Sequence, residues 1–298
     1  MTSPAKGKGG GRAAIKALLR QYGVHPRRSL GQNFLVDEKA LARIVEAAEL
    51  TTEDWVLEVG AGLGTLTRAL AEAAGQVVAV EIDPRLVAIL RQSLADFPNV
   101  HLVEGDIFAF RLEDLFAPLR PSGQPSGEPP PPLSYKVVAN IPYFITSPLL
   151  RYLMEAPHKP TLMVLTLQRD VAERITARPG RMSSLAVAVQ FYGEPEIIAR
   201  LKPGAFYPPP KVESAVVRVR AHRQPIVEVA DVRFFFRVVQ AGFSQRRKQL
   251  RNALSGGLAR PKEEIETALH QAGIDPRRRA ETLSLEEWTS ISQALSSS

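Results

Sequence analysis

The stretch WVLEVGAGLG, residues 55–64, decides the fold class of this chain. Its first half, Trp55–Val59, is a short apolar run of the kind that forms a buried strand, and its second half repeats glycine. Glycine adopts backbone angles that other residues avoid, so such a loop lets a ligand approach the backbone closely and lets a helix begin beside it. Residues 65–74 are predicted to form that helix.

Strand and helix patterns alternate along most of the remaining chain. Further strands are predicted at 77–82, 100–103, 136–139, 162–167 and 214–220, and further helices at 12–22, 38–49, 84–95 and from 147 onward. Asp37 and Asp83 are the expected N-caps of two of these helices. Continuous apolar strands separated by helices are typical of a parallel sheet with helices on both faces, so the predicted fold class is α/β.

After residue 223 the pattern changes to helices alone. Helices are predicted at 231–242, 244–255, 263–272 and 285–295, the last with a capping box of Ser284 and Glu287. We therefore expect a basic arm with a short helix over 1–28, an α/β domain over 29–222 and a helical domain over 223–298. The proline-rich segment 121–132 is predicted to be a flexible insertion rather than a docking site.

The net charge of +7 is concentrated at the N-terminus. Seven cations precede the first acidic residue, Asp37: Lys6, Lys8, Arg12, Lys16, Arg20, Arg27 and Arg28. Such an arm suits a polyanion such as nucleic acid, although a solubilising tail or a mitochondrial transit peptide also fits the charge. The sequence has no cysteine, which excludes disulfides and thiolate sites, and no run of about 18 apolar residues. We predict a cytoplasmic protein without a membrane span.

Two acidic residues lie where predicted strands end, at the edge where open α/β sheets bind ligands. Glu81 is at the end of the second strand, where its carboxylate can accept hydrogen bonds from both hydroxyls of a ribose. Asp106 follows the third and could accept from an adenine amino group, although Gly-Asp in isolation is more typical of a turn or cap. Dinucleotides and S-adenosylmethionine both bind such arrangements, and a third glycine at position 64 instead of 65 favours the methyl donor.

Asn140-Ile141-Pro142-Tyr143 ends the predicted strand at 136–139. An exocyclic adenine amine is a poor nucleophile because its lone pair is delocalised into the ring. The Asn140 side-chain oxygen and a neighbouring backbone carbonyl could accept hydrogen bonds from the two N–H groups of this amine. Pro142 stiffens the turn, and Tyr143 offers an aromatic face for the base. Alone, this tetrapeptide would predict a simple turn. Its position after the glycine loop, Glu81 and Asp106 favours methyl transfer to adenine.

Several motifs, in this order, resemble those of the ribosomal RNA adenine dimethyltransferases, and the nearer group is the small-subunit (KsgA) family. They are SLGQNFL at 29–35, EVGAGLG at 58–64, Glu81, Asp106, NIPY at 140–143 and FYPPPKVES at 206–214. The similarity runs from about residue 15 to the C-terminus. It implies a Rossmann-like S-adenosylmethionine-dependent methyltransferase domain followed by a small all-helical domain.

The resemblance also implies site residues and a reaction. The residues expected to bind S-adenosylmethionine are Asn33, Leu35, Gly60, Glu81, Asp106 and Asn140. The residues expected at the flipped target adenine are Asn140, Tyr143 and Phe206. The implied reaction is N6 dimethylation of two adjacent adenosines near the 3′ end of small-subunit (16S) ribosomal RNA. It would contribute to 30S subunit biogenesis and be carried out by a monomer without a metal.

Other functions remain open on the sequence. A large-subunit adenine methyltransferase of the macrolide-resistance type has the same chemistry, and a non-catalytic RNA-binding or transcription factor could use the same fold. A dehydrogenase is a more distant alternative. Two basic clusters in the helical region, 246–248 with Arg251 and 277–279, are predicted either to contact RNA phosphates or to be solvated helix faces.

Overall fold

The apolar run Trp55–Val59 forms a strand inside a seven-stranded sheet, as its sequence predicts. The structure is a computed structural model and describes residues 11–119, 134–222 and 224–296. Unit 1 contains the described residues up to Arg169 together with Glu196–Ala221, and unit 2 contains Asp170–Pro195 and the described residues from His222 onward. Lys6 and Lys8 of the predicted arm and the segment 121–132 lie outside the described residues.

The strands have the following bounds, in chain order: β1 (Phe34–Leu35), β2 (Trp55–Val59), β3 (Gln76–Glu81), β4 (Val100–Glu104), β5 (Lys136–Asn140), β6 (Leu162–Gln168), β7 (Gly193–Leu201), β8 (Phe206–Tyr207) and β9 (Ser214–Ala221). The large sheet has the order β4-β3-β2-β5-β6-β9-β7. The five strands from β4 to β6 are parallel, but β9 is antiparallel to β6. The sheet is thus mixed and not purely parallel as predicted. The sequence could not reveal this, because a strand buried on both faces has the same apolar pattern in either direction.

The helices have these bounds: α1 (Arg12–Gln21), α2 (Glu38–Ala47), α3 (Thr65–Ala73), α4 (Pro84–Ser93), α5 (Leu112–Phe116), α6 (Thr146–Met154), α7 (Arg169–Ile175), α8 (Ser184–Tyr192), α9 (Val232–Phe243), α10 (Leu250–Leu258), α11 (Lys262–Gln271) and α12 (Leu285–Ser296). The predicted caps form. Asp37 and Asp83 accept backbone N–H groups at the starts of α2 and α4. At α12, the Ser284 amide donates to Glu287 at 2.8 Å and the Glu287 amide donates to Ser284 at 3.2 Å.

The core of unit 2 explains why the predicted domain boundaries were wrong in part. Unit 2 contains the described residues from His222 onward, but it also contains 170–195, which the sequence analysis assigned to the α/β domain. Phe191 of α8 is fully buried, and its ring stacks on Phe235 of α9 with 5.1 Å between centroids. The residues that bury α8 therefore come more than 40 positions later in the chain, where a local pattern cannot reveal them.

The predicted helix over 244–255 begins instead at Leu250 and ends at Leu258. Two hydrogen bonds account for this shift. The Ser244 hydroxyl donates to the Ala241 carbonyl at 2.6 Å, which closes the end of α9, and the Leu250 amide donates to the Arg278 carbonyl at 2.7 Å. The basic residues 246–248 consequently lie in a turn, and only Arg251 lies on a helix.

Gly242 of α9 provides the space for Trp288 of α12, which is fully buried. A Cβ atom at Gly242 would lie 2.3 Å from Trp288 Cη2. We therefore expect Gly242→Ala to destabilise the protein by about 1–3 kcal/mol through overpacking. Gly256→Ala on α10 is the matched control, because its Cβ would meet only the flexible end of Gln245 at 3.4 Å. That change should stabilise the helix by up to about 1 kcal/mol. Urea unfolding of both variants measures this difference, and equal effects would contradict it.

Candidate active site

Unit 1 contains a cavity of about 290 Å³ at the carboxyl ends of β2, β3, β4 and β5. Its lining comes from segments that are far apart in sequence: 29–34, 105–108, 140–145 and parts of 59–62 and 80–86. Parallel pairing brings these strand ends to one edge, which is where open α/β sheets bind ligands. The following predicted site residues line the cavity: Asn33, Gly60, Glu81, Asp106, Asn140 and Tyr143.

The loop after β2 needs glycine for conformation and for space. Gly60, Gly62 and Gly64 have φ angles of 80°, 61° and 78°, in the left-handed region that other residues rarely adopt. A Cβ atom at Gly62 would lie 3.2 Å from the Phe34 ring. The sequence prediction of a loop that leaves its backbone open to a ligand is consistent with this geometry.

Two buried carboxyl groups lie beside the glycine loop. Glu81 is 5% exposed and accepts hydrogen bonds from the amides of Gly62 at 2.8 Å and Asp83 at 2.9 Å. Burial raises its pKa. Burial also raises the pKa of Glu58 to about 8, with a further contribution from the charge of Glu81. Glu58 is therefore largely protonated at neutral pH, which removes a like charge that would oppose ionisation of Glu81.

Asp106 caps a short turn and also lines the cavity. Its carboxylate accepts from the Phe108 amide at 3.1 Å and so caps a short 3-10 turn over Ile107–Ala109. The same exposed side chain lines the cavity. A carboxylate has four acceptor sites, so the cap leaves capacity for a ligand.

The orientation of the Asn140 amide is determined by one hydrogen bond. Its Nδ2 donates to the Asn33 carbonyl at 3.0 Å, and Asn33 Nδ2 in turn donates to the Gly31 carbonyl at 3.0 Å. Because a carbonyl can only accept, the nitrogen of the Asn140 amide must face Asn33. Its Oδ1 is then left as a hydrogen-bond acceptor without a partner among the described residues.

Tyr143 is held by a residue that the sequence analysis did not select. Its hydroxyl lies 2.7 Å from the hydroxyl of Ser214, which is fully buried at the start of β9. Burial raises the pKa of Tyr143, so the phenol remains neutral. Ser214 ends the FYPPPKVES motif, which was the only sequence signal for it.

Leu35 and Phe206 differ from the other predicted site residues. They are cross-strand partners in the small β1–β8 sheet, are 5% and 1% exposed, and do not line the cavity. The Phe206 ring packs in an apolar cluster that includes Ile44. A base can stack only on an accessible ring face, so this arrangement does not support the predicted contact of Phe206 with the target adenine.

Asp83 has a second role that its sequence did not indicate. Its fully buried carboxylate accepts from Gln32 Nε2 at 2.9 Å and forms an ion pair with Arg85 at 2.6 Å. Arg85 holds the pKa of Asp83 down to about 2. The cavity-lining loop at 29–34 is thus attached to the end of β3 through Gln32, a contact over 51 positions.

The strand order, the glycine loop and the buried acid at the end of β3 together define unit 1 as a Rossmann-like domain that binds its ligand at this edge of the sheet. Within the described residues, no helix has the length and apolarity required to span a membrane, and no group of three or more His, Asp or Glu residues could hold a metal ion.

Comparison with known proteins identifies the family. The model of the family "Ribosomal RNA adenine dimethylase" matches residues 24–297, and the chain belongs to this family. The ribosomal RNA small subunit methyltransferase A of Moorella thermoacetica is 46% identical over 94% of this chain and 96% of its own length. The protein of the same name from Bacillus mycoides is 41% identical over 94% of both chains.

Two solved structures share the fold. The 23S rRNA methyltransferase ErmE is 33% identical, has a TM-score of 0.67 and is matched over 89% of this chain and 100% of its own. A dimethyladenosine transferase from Plasmodium falciparum has a TM-score of 0.69 at 22% identity, over 87% of this chain and 95% of its own. The chain is thus an RNA methyltransferase by family, with the predicted fold.

The contact between Tyr143 and Ser214 can be tested by a double-mutant cycle. We expect Tyr143→Phe and Ser214→Ala each to lower the free energy of unfolding by about 1 kcal/mol, because each removes the same buried hydrogen bond. The double variant should cost little more than either single one, which gives a coupling of at least about 0.5 kcal/mol. Additive losses in urea unfolding would show that the two hydroxyls do not interact.

Proposed function

We propose that this protein uses S-adenosylmethionine to dimethylate N6 of two adjacent adenosines near the 3′ end of small-subunit (16S) ribosomal RNA, and so contributes to 30S subunit biogenesis. The observation that carries the proposal is the orientation of Asn140, whose Oδ1 is left as an acceptor in a residue that lines the cavity. Family membership and relatives named for the small subunit support the choice of RNA. We further propose that the protein acts as a cytoplasmic monomer without a metal.

A large-subunit RNA substrate is the second candidate. It is favoured by the similarity to ErmE, at 33% identity over 89% of this chain. The small-subunit relatives are more similar, at 46% and 41% identity over 94% of the chain. The small subunit is therefore the first choice, and the experiment below distinguishes the two.

The cavity residues fit S-adenosylmethionine, which supplies an electrophilic sulfonium methyl group when bound. Glu81 would accept hydrogen bonds from its ribose hydroxyls, and the open backbone at Gly60 and Gly62 would admit its chain. Asp106 would accept from its adenine amino group, while Ile82 and Ile107, which the sequence analysis did not select, would contact the adenine ring. Asn33 also lines the cavity. The contact predicted for Leu35 remains a prediction.

Residues at the end of β5 and directly after it would hold the target adenine. Asn140 Oδ1 accepts a hydrogen bond from one N–H of the adenine amine, and the backbone carbonyl of Ile141 accepts one from the other N–H. These contacts orient the nitrogen toward the methyl donor, and Tyr143 presents a ring face to the base. The amine proton leaves after transfer. Because N6 then keeps one hydrogen, a single acceptor is sufficient to orient it for the second transfer.

Ion pairs in unit 2 distinguish the cations that already have an acidic partner from those that are available to RNA. Arg251 pairs with Glu266 and Arg277 with Asp275, and Arg278 pairs with Glu287. Within the two basic clusters, four exposed cations of the described residues form no such pair: Arg246, Arg247, Lys248 and Arg279. We propose that these four contact RNA phosphates.

The arm that carries the net charge is also partly engaged in structure. Arg12 donates to the Gly204 carbonyl at 3.0 Å, and the Lys16 ammonium lies 5.3 Å from the centre of the Tyr207 ring. These two cations attach α1 near β8 and are less available to a polyanion than their charge alone suggests.

Asn140→Ala should lower methyl transfer by about 10²- to 10³-fold, as expected when one preorganised polar group is lost. The assay measures labelled methyl groups in small subunits that lack adenine dimethylation, with large subunits as a control substrate. Asn252→Ala, on α10 and outside the cavity, should retain activity. Near-normal turnover of the Asn140 variant would contradict the mechanism.

The same assay on the unaltered protein tests the choice of RNA. Primer extension should locate the label in two adjacent adenines near the 3′ end of the small-subunit RNA. Label confined to large-subunit RNA would move the assignment to the second candidate. Binding of the methyl donor without any transfer would favour a non-catalytic RNA-binding role.

If unpaired cations contact RNA and paired ones do not, two arginines should differ in their contribution to the salt dependence of RNA binding. Arg246→Gln should weaken binding to small-subunit RNA and reduce the slope of log affinity against log salt by about 1, because one phosphate contact is lost. Arg277→Gln removes the same charge from an arginine that pairs with Asp275, so its slope should change less. Equal slopes for the two variants would contradict the assignment.

A further inference from the structure

The exposed apolar side chains of the described chain are concentrated at the cavity. The large hydrophobic residues with high exposure are Ile82, Phe108, Phe144, Val212 and Ile226. Three of them, Ile82, Phe108 and Phe144, line the cavity. Scattered apolar residues on a surface need no explanation, but a group around one opening indicates a surface that is covered when a ligand binds.

The strand order separates these three residues. Ile82 follows β3 and Phe108 lies in the turn after β4, on the side of Glu81 and Asp106 where the methyl donor is proposed to bind. Phe144 follows β5, and β2 with its glycine loop lies between β5 and β3. Phe144 is therefore on the side of Asn140 and Tyr143, where the target adenine is proposed to bind.

The Phe144 side chain is supported on one side and open to solvent elsewhere. It is 62% exposed and forms no ring contact with another aromatic residue of the described chain. The ring lies against Gly31, where an added Cβ atom would be 3.3 Å from Pro142 and 3.4 Å from two carbons of the Phe144 ring. Gly31 belongs to the loop that Gln32 attaches to buried Asp83. A fixed backbone thus backs the ring without covering it.

Consecutive aromatic residues have different surroundings here. Tyr143 is half-buried, and its hydroxyl is bonded to Ser214. Phe144 has no polar group to anchor and projects into solvent beside the same cavity. One ring is thus suited to a base inside the cavity, and the other to a base at its opening.

We propose that Phe144 is a stacking platform for the RNA base next to the target adenine. The inference rests on the proposed function for its RNA substrate. Extruding an adenine from its strand breaks its stacking with the neighbouring base, and an exposed aromatic ring beside the cavity replaces that contact. When the two target adenosines are adjacent, the neighbouring base is itself a purine, which offers a large face for stacking.

The test uses a short RNA with two adjacent adenines, in which 2-aminopurine replaces the adenine next to the target. Stacking on Phe144 should quench its fluorescence when the unaltered protein binds. We expect Phe144→Leu and Phe144→Ala to abolish this quenching and to raise the KM for RNA by about 5- to 100-fold. Phe144→Trp should retain the quenching and the KM of the unaltered protein. Ile226→Ala is the control, because Ile226 is 57% exposed and does not line the cavity.

The affinity for the methyl donor, measured without RNA, should be the same in all variants. Quenching and KM that are unchanged in Phe144→Leu would overturn the proposal. So would a loss of affinity for the methyl donor that accounts for the rise in KM. If the unaltered protein binds the RNA with quenching but transfers no methyl group, the proposed function fails while the stacking contact stands.

Discussion

Parallel pairing of β2 with β3 and of β2 with β5 brings the carboxyl ends of three strands to the same edge of the sheet. This pairing brings Gly60, Glu81 and Asn140 to the same edge, although 80 positions separate the first from the last. The glycine loop then passes close to Phe34, where a Cβ atom at Gly62 would lie 3.2 Å from the ring. The cavity and its polar groups therefore depend on the sheet rather than on any single loop.

Polar contacts over long sequence distances complete the site. The carbonyl of Asn33 orients Asn140, and Ser214 holds the hydroxyl of Tyr143. Asp83, paired with Arg85, retains the loop that contains Gln32. Such buried polar groups are stable only when their partners are present, so each contact selects one geometry of the cavity. Preorganisation of this kind is what a reaction that relies on positioning requires.

Much of this arrangement could be predicted from local patterns. The strands β2 to β6, the caps at Asp37, Asp83 and Ser284, and the glycine loop follow from short-range chemistry, which a sequence displays directly. The residues Glu81, Asp106, Asn140 and Tyr143 were predicted because they occur in this order with the glycine loop and match the motifs of one family, although each alone is typical of a turn or a cap. Residues that act through distant partners, such as Ser214 and Gln32, carried no such signal.

The sequence by itself determined the fold class, the edge of the sheet that carries the site and the family to which the chain belongs. Tertiary structure alone decided that β9 is antiparallel and that α8 packs on Phe235, because apolar patterns record burial but neither strand direction nor partner. It also placed Phe206 inside the core and showed that Arg277 has an acidic partner while Arg246 has none among the described residues. Only the positions of neighbouring charges and rings show whether a side chain already has a contact.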